Sequence, residues 1–93
     1  MSSKSERQAA RATVAAYHES QLADLVHRVG KAVDRFRTGE VDAFDTDATI
    51  FQYSRAAKEL WKFCNLGDVE VVARMIGDDV PADWWERGEP RRP

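Results

Sequence analysis

Ninety-three residues, 43% hydrophobic and 32% charged with a formal net charge of -2, suffice for one small domain and leave nothing to build a second core. That mixture is too apolar for wholesale disorder and too charged for a membrane protein: no run approaches the roughly 18–20 apolar residues of a transmembrane helix, and the N-terminus lacks the apolar run of a secretory signal. The single cysteine, Cys64, excludes an intrachain disulfide and a zinc site built on cysteine pairs, and it suits a reducing, cytoplasmic setting.

The first predicted element is a long helix over residues 5–37. Proline is absent up to residue 80, and Gly30 is the only glycine between Glu6 and Arg37, so nothing breaks the stretch. Leu22, Leu25, Val26, Val29, Val33 and Phe36 recur every three or four positions and fall within an arc of about 100°, the seam of an amphipathic helix. Asp24 and Arg28 stand at i, i+4 on the far side. Continued towards the N-terminus, the same seam passes through His18, Ala15 and Arg11, and apolar burial thins into an alanine-rich face held by helix propensity. Gly39 supplies the left-handed residue that ends the helix after Thr38.

Residues 40–47 read as a connection in which Val41 and Phe44 tuck under a hairpin, with Asp45 or Asp47 capping a second helix over 47–64. The apolar set of that helix, running from Ile50 through Tyr53, Ala57, Leu60 and Trp61 to Cys64, spans about 160°, wider than one neighbour needs, so two other elements should touch it. Arg55 and Glu59 repeat the i, i+4 pairing on the polar face. Phe51 projects there among Lys58 and Lys62, either closing over Val41 and Phe44 or belonging to an interface. Gly67 ends this helix, Asp68 caps a third over 68–76 whose Val69, Val72, Ala73 and Ile76 share a face, and a turn or short helix over 81–87 carries Trp84 and Trp85. Residues 89–93 hold no apolar side chain to offset their ordering entropy and read as a disordered tail, which leaves 1–88 as a single helical domain.

The fold class is therefore all-α: a long antiparallel helical hairpin, one short helix and a tryptophan-bearing C-terminal turn. A first helix of about 48 Å outruns a second of about 27 Å. Either the C-terminal elements fold over the excess, or two chains complete a bundle as a dimer, the solution a small core favours.

Chemistry is sparse. His18 and His27 lie nine positions apart on one helix and point to opposite faces, so they cannot share a metal. The run Glu40, Asp42, Asp45, Asp47 lacks the glycine and the twelfth-position glutamate of a calcium loop and reads as capping. Cys64 sits on an apolar arc with no acid–base partner nearby in sequence. No phosphate loop, nucleophile elbow or metalloprotease motif is present. No catalytic, metal or cofactor site is expected.

Charge divides unevenly, with residues 1–40 carrying seven positive and five negative side chains and the remainder seven and eleven. Neither half has the basic excess of a duplex binder, so nucleic acid, which would have to use Arg7, Arg11, Arg28 and neighbouring cations of the first helix, is disfavoured. The expected function is a non-enzymatic protein–protein interaction module, a homodimer with room for a heterologous partner; the alternative is an antitoxin-like or accessory regulator that folds onto its target. The candidate interface comprises Arg11, Ala15, His18, Phe51, Trp84 and Trp85. Of the tryptophan pair, one should seal the core while the other stays near the surface as an anchor, unless both lie on the hairpin as a clasp.

Overall fold

The computed structural model describes residues 3–78 and 82–90. Among them are four helices and no strand: α1, Lys4–Arg37; α2, Ala43–Asn65; α3, Val69–Gly77; and α4, Trp84–Arg87. Pro81, Asp79 and most of the predicted C-terminal tail lie outside the described residues.

Each helix starts where a short polar side chain receives the free N–H groups of the first turn. Ser3 Oγ accepts from Glu6 N–H to begin α1, Asp68 accepts from Glu70 and Val71 N–H to begin α3, and Asp83 accepts from Glu86 N–H to begin α4. The start of α2 differs from the sequence reading. Neither Asp45 nor Asp47 is the cap: Asp42 Oδ1 accepts from Asp45 N–H at 2.8 Å while Asp45 Oδ2 accepts from Asp42 N–H at 3.4 Å, a reciprocal capping box that begins the helix at Ala43, four residues early. Phe44 consequently lies in the first turn of α2, 86% exposed, instead of under the hairpin with half-buried Val41. Asp42→Ala is expected to cost about 1 kcal/mol, whereas Asp47→Ala stays within about 0.5 kcal/mol of the parent; the urea midpoints of the two variants check this.

The turn between α1 and α2 is built on Gly39, whose φ of 79° lies in the left-handed region, as its place after Thr38 implies. Arg35 closes the same turn with Glu40 at 3.1 Å. The two helices run antiparallel, so that Tyr17 and Phe63, far from the turn on each, meet edge to face with ring centroids 6.0 Å apart.

Burial shows how the long arm of α1 is covered. Leu25 at 3% exposure faces α2, together with half-buried Leu22, Val29 and Val33 of the predicted seam. Towards the N-terminus the buried positions become Val14 and Ala10, not Ala15 and Arg11, while Tyr17 and His18 are both half-buried. The contact line rotates because the cover changes. Short α2 no longer reaches this part of α1, and α3 packs there from another side with Val72 at its centre. His18 is half-buried at the edge, while Ala15 and Arg11 face outward.

One core joins Val14 and Leu25 of α1, Ala56, Leu60 and Cys64 of α2, Val72 of α3 and Trp84 of α4. The molecule measures 56 × 30 × 18 Å. At helix–helix separations of about 8–10 Å the shortest dimension holds two layers, not three: the hairpin is one, and α3 and α4 form the other on a single face of it. The opposite face of the hairpin has no cover among the described residues.

Candidate interaction surface

The face of the hairpin that carries α4 is closed by polar as well as apolar contacts. Trp84, 3% exposed, packs its ring against Phe63 at 5.3 Å and donates its indole N–H to Tyr17 Oη at 2.8 Å. Carbonyls at the end of this short helix receive side-chain donors from α2: Gln52 Nε2 donates to Trp85 O at 3.0 Å, and Arg55 Nε donates to Gly88 O at 2.6 Å. The guanidinium groups of Arg28 and Arg87 lie 5.1 Å and 4.8 Å over the Trp85 and Trp84 rings. These contacts replace the predicted i, i+4 pairs: Arg28 covers a tryptophan instead of meeting Asp24, and Arg55 holds a backbone carbonyl while Glu59 pairs with Lys62 at 3.5 Å. Both tryptophans therefore lie on the hairpin. Trp84 belongs to the core rather than to an interface, because its N–H has a partner inside and its ring fills the gap beside Phe63; half-buried Trp85 is the one near the surface.

The uncovered face of the hairpin is apolar. Val26 and Phe36 of α1 are 49% and 45% exposed, Ile50 and Trp61 of α2 are 45% and 51% exposed, and the partly covered Leu22, Val29, Val33, Tyr53 and Ala57 lie between them. At its turn end the stripe dips into a shallow depression of about 250 Å³ lined by Phe36, Ala43, Thr46, Asp47 and Ile50. With roughly half of each large side chain open, the stripe presents on the order of 300–400 Å² of apolar surface, as much as the largest patch on a typical monomer, which often carries function. None of the six candidate interface residues lies at its centre. Its signal in the sequence was the arc of α2, whose far edge is Ile50 and Trp61.

Phe51, 58% exposed, faces away from this stripe on the outer side of α2. There Phe44, Ala48, Phe51, Arg55, Lys58 and Lys62 follow one another at alternating spacings of four and three, apolar in the first half and basic in the second. Pro90 stands beside both halves.

Cys64 is 6% exposed, and burial pushes its thiol above the ordinary value of 9.0. A raised thiol pKa favours the fold while the unfolded thiol is still protonated, so this contribution is complete below the unfolded pKa and is lost as pH rises through the folded one. The folded protein is expected to react with a disulfide reagent at neutral pH at least about tenfold more slowly than the urea-unfolded chain, with a single thiol titrated in each case. Among the described residues no group of three or more His, Cys, Asp or Glu could hold a metal, and no helix is long and apolar enough to cross a membrane. His18 and His27 stay on separate sides of α1, one half-buried and one exposed.

Compared with known proteins, the chain matches no family model, no curated sequence and no solved structure.

Proposed function

We propose that this chain is a helical protein–protein interaction module without enzymatic activity that works as a homodimer, completing its bundle through the uncovered face of the hairpin. The observation that carries the reading is the stripe Val26, Phe36, Ile50 and Trp61, left about half open on a hairpin whose other face carries α3 and α4. Doubled in a symmetric pair, with its partly covered neighbours and a polar rim, it reaches the roughly 1,000 Å² that a specific interface needs. Light scattering coupled to size exclusion, from micromolar to millimolar chain, tests this. A concentration-dependent rise to twice the monomer mass supports it, and a monomer throughout refutes it.

A second reading, an accessory regulator that contacts a heterologous protein, draws on the outer stripe of α2. An acidic amphipathic helix would set its apolar side on Phe44 and Phe51 and its carboxylates on Arg55, Lys58 and Lys62. Nucleic acid is served less well, because two cations of α1 are engaged: Arg28 on Trp85 and Arg35 with Glu40 at 3.1 Å.

A further inference from the structure

We infer that two copies pair about a twofold axis crossing the hairpin at the level of Arg28 and Gln52, so that Trp61 of each chain seats in the depression at the turn end of the other and Glu19 of each faces Arg37 of the other. This rests on the self-association proposed above and gives it a geometry.

The levels come from the hairpin itself. Arg37 and Ala43 flank the turn, and twenty residues further along each helix Tyr17 meets Phe63. The two antiparallel helices therefore stay in step, and Arg28 stands level with Gln52, each nine residues from the turn.

Two independent pairs share that level as their midpoint. Glu19 and Arg37 each lie nine residues from Arg28, on opposite sides of it, and Ala43 and Trp61 each lie nine residues from Gln52. Eighteen residues are about five whole helical turns, so the members of each pair share one angular position. For the first pair that position is the uncovered side of α1, beside Val26. For the second it is the uncovered side of α2, beside Ile50.

A twofold axis demands that when one residue of a chain touches another residue of its partner, the reverse contact forms as well. An axis lying in the interface, across both helices at the Arg28–Gln52 level, lays α1 antiparallel on the partner's α1 and α2 antiparallel on the partner's α2. It brings opposite charges together twice, and it twice places a half-exposed indole over the depression that Ala43 helps to line. Shifting the axis along the hairpin by one turn displaces every pair by two turns and loses both matches together.

The middle of α1 fits the same arrangement. Val26 comes opposite Gly30 of the partner subunit. Gly30 does not have a left-handed φ, nothing within 4 Å occupies the place of a Cβ there, and a glycine in mid-helix costs about 0.5–1 kcal/mol against alanine. Its small size lets two α1 helices approach closely at the axis.

Charge reversal in the full-length chain, followed by sedimentation equilibrium at low salt, tests the axis. Glu19→Arg and Arg37→Glu should each weaken the dimer about tenfold, since each puts two like-charge pairs into the interface. The double variant should recover to within about threefold of the parent, and an equimolar mixture of the two single variants should form the heterodimer in preference to either homodimer. Trp61→Ala should weaken pairing by about thirtyfold or more. All four chains should keep the parent's helical circular dichroism, because these side chains are exposed in the single chain. A dimer indifferent to both reversals, or one not rescued by combining them, overturns the axis and leaves self-association standing. A chain that is monomeric at every concentration overturns both.

Discussion

Trp84→Ala is expected to be the most damaging single substitution on the α4 face, costing about 3–5 kcal/mol and lowering the melting temperature by roughly 15–30 °C. The indole is the largest side chain that α4 inserts into the core, and three contacts leave with it: the Phe63 ring at 5.3 Å, the Arg87 guanidinium over its face and the hydrogen bond to Tyr17. A domain of this size has about 5–15 kcal/mol in all, so the variant should sit near its unfolding threshold at 37 °C. Trp84→Phe and Tyr17→Phe separate the terms. The first keeps most of the apolar area and should cost about 1–2 kcal/mol. The second leaves the buried indole N–H without its acceptor and should cost about 1–3 kcal/mol. Combining them should cost less than the sum, because the hydrogen bond can be lost only once. Urea unfolding followed by circular dichroism gives all four values; a Trp84→Ala cost below about 1 kcal/mol would show that the tryptophan only rests on the hairpin.

Gly88→Ala should rank second, although glycine at this position has an ordinary φ of -84° that any residue adopts. The constraint is space. A methyl group there would meet Ala56 Cβ and Ala56 N at 2.8 Å each and would press on the Gln52 carbonyl oxygen. Two of these three atoms belong to the backbone of α2, which cannot move aside like the end of a flexible side chain, so α4 must lift. Lifting it strains the Arg55 bond to Gly88 O and the Gln52 bond to Trp85 O. The expected cost is about 1–3 kcal/mol, the usual range for overfilling a packed site. Gly30→Ala, in open space on a helix, should instead gain about 0.5–1 kcal/mol in monomer stability while weakening any pairing that depends on close approach of α1 helices. Thermal melts of the two alanine variants should therefore move in opposite directions.

Helical character could be read from the chain because it depends on local spacing. Leu22, Leu25, Val29 and Val33 of the α1 seam, the left-handed Gly39, Asp68 as the cap of α3 and the apolar face around Val72 follow from periodicity and capping, whereas Val26 and Phe36 of the same seam stay about half exposed. What escaped were choices between local options that only tertiary contact decides. Asp42, Asp45 and Asp47 are equally good capping residues, and the one that wins has Asp45 three places on to close a capping box. His18, Ala15 and Arg11 continue the seam on a straight helix, but the neighbour changes from α2 to α3, and the buried line moves to Val14 and Ala10 with it. Arg28 and Arg55 had acceptable partners one turn away and turned instead to an aromatic ring and a carbonyl of α4, which are far off in sequence. The candidate surface followed the same rule. An arc too wide for one neighbour was visible in α2, yet which of its edges α4 would cover depended on where Gly88 could approach the backbone of α2.

The three tryptophans occupy three optically distinct surroundings. Trp61 lies half in water on the uncovered stripe, Trp84 is sealed against Phe63 with Tyr17 on its N–H, and Trp85 is half-covered beneath Arg28. Chains retaining one of them, with phenylalanine at the other two positions, carry a built-in dye at each place. Emission from the Trp84 chain follows opening of the core and should shift to the red only on unfolding. Emission from the Trp61 chain should shift to the blue, and resist quenching by acrylamide, when the uncovered face is occupied. Intrinsic fluorescence can thus separate folding from association in one protein, without a label.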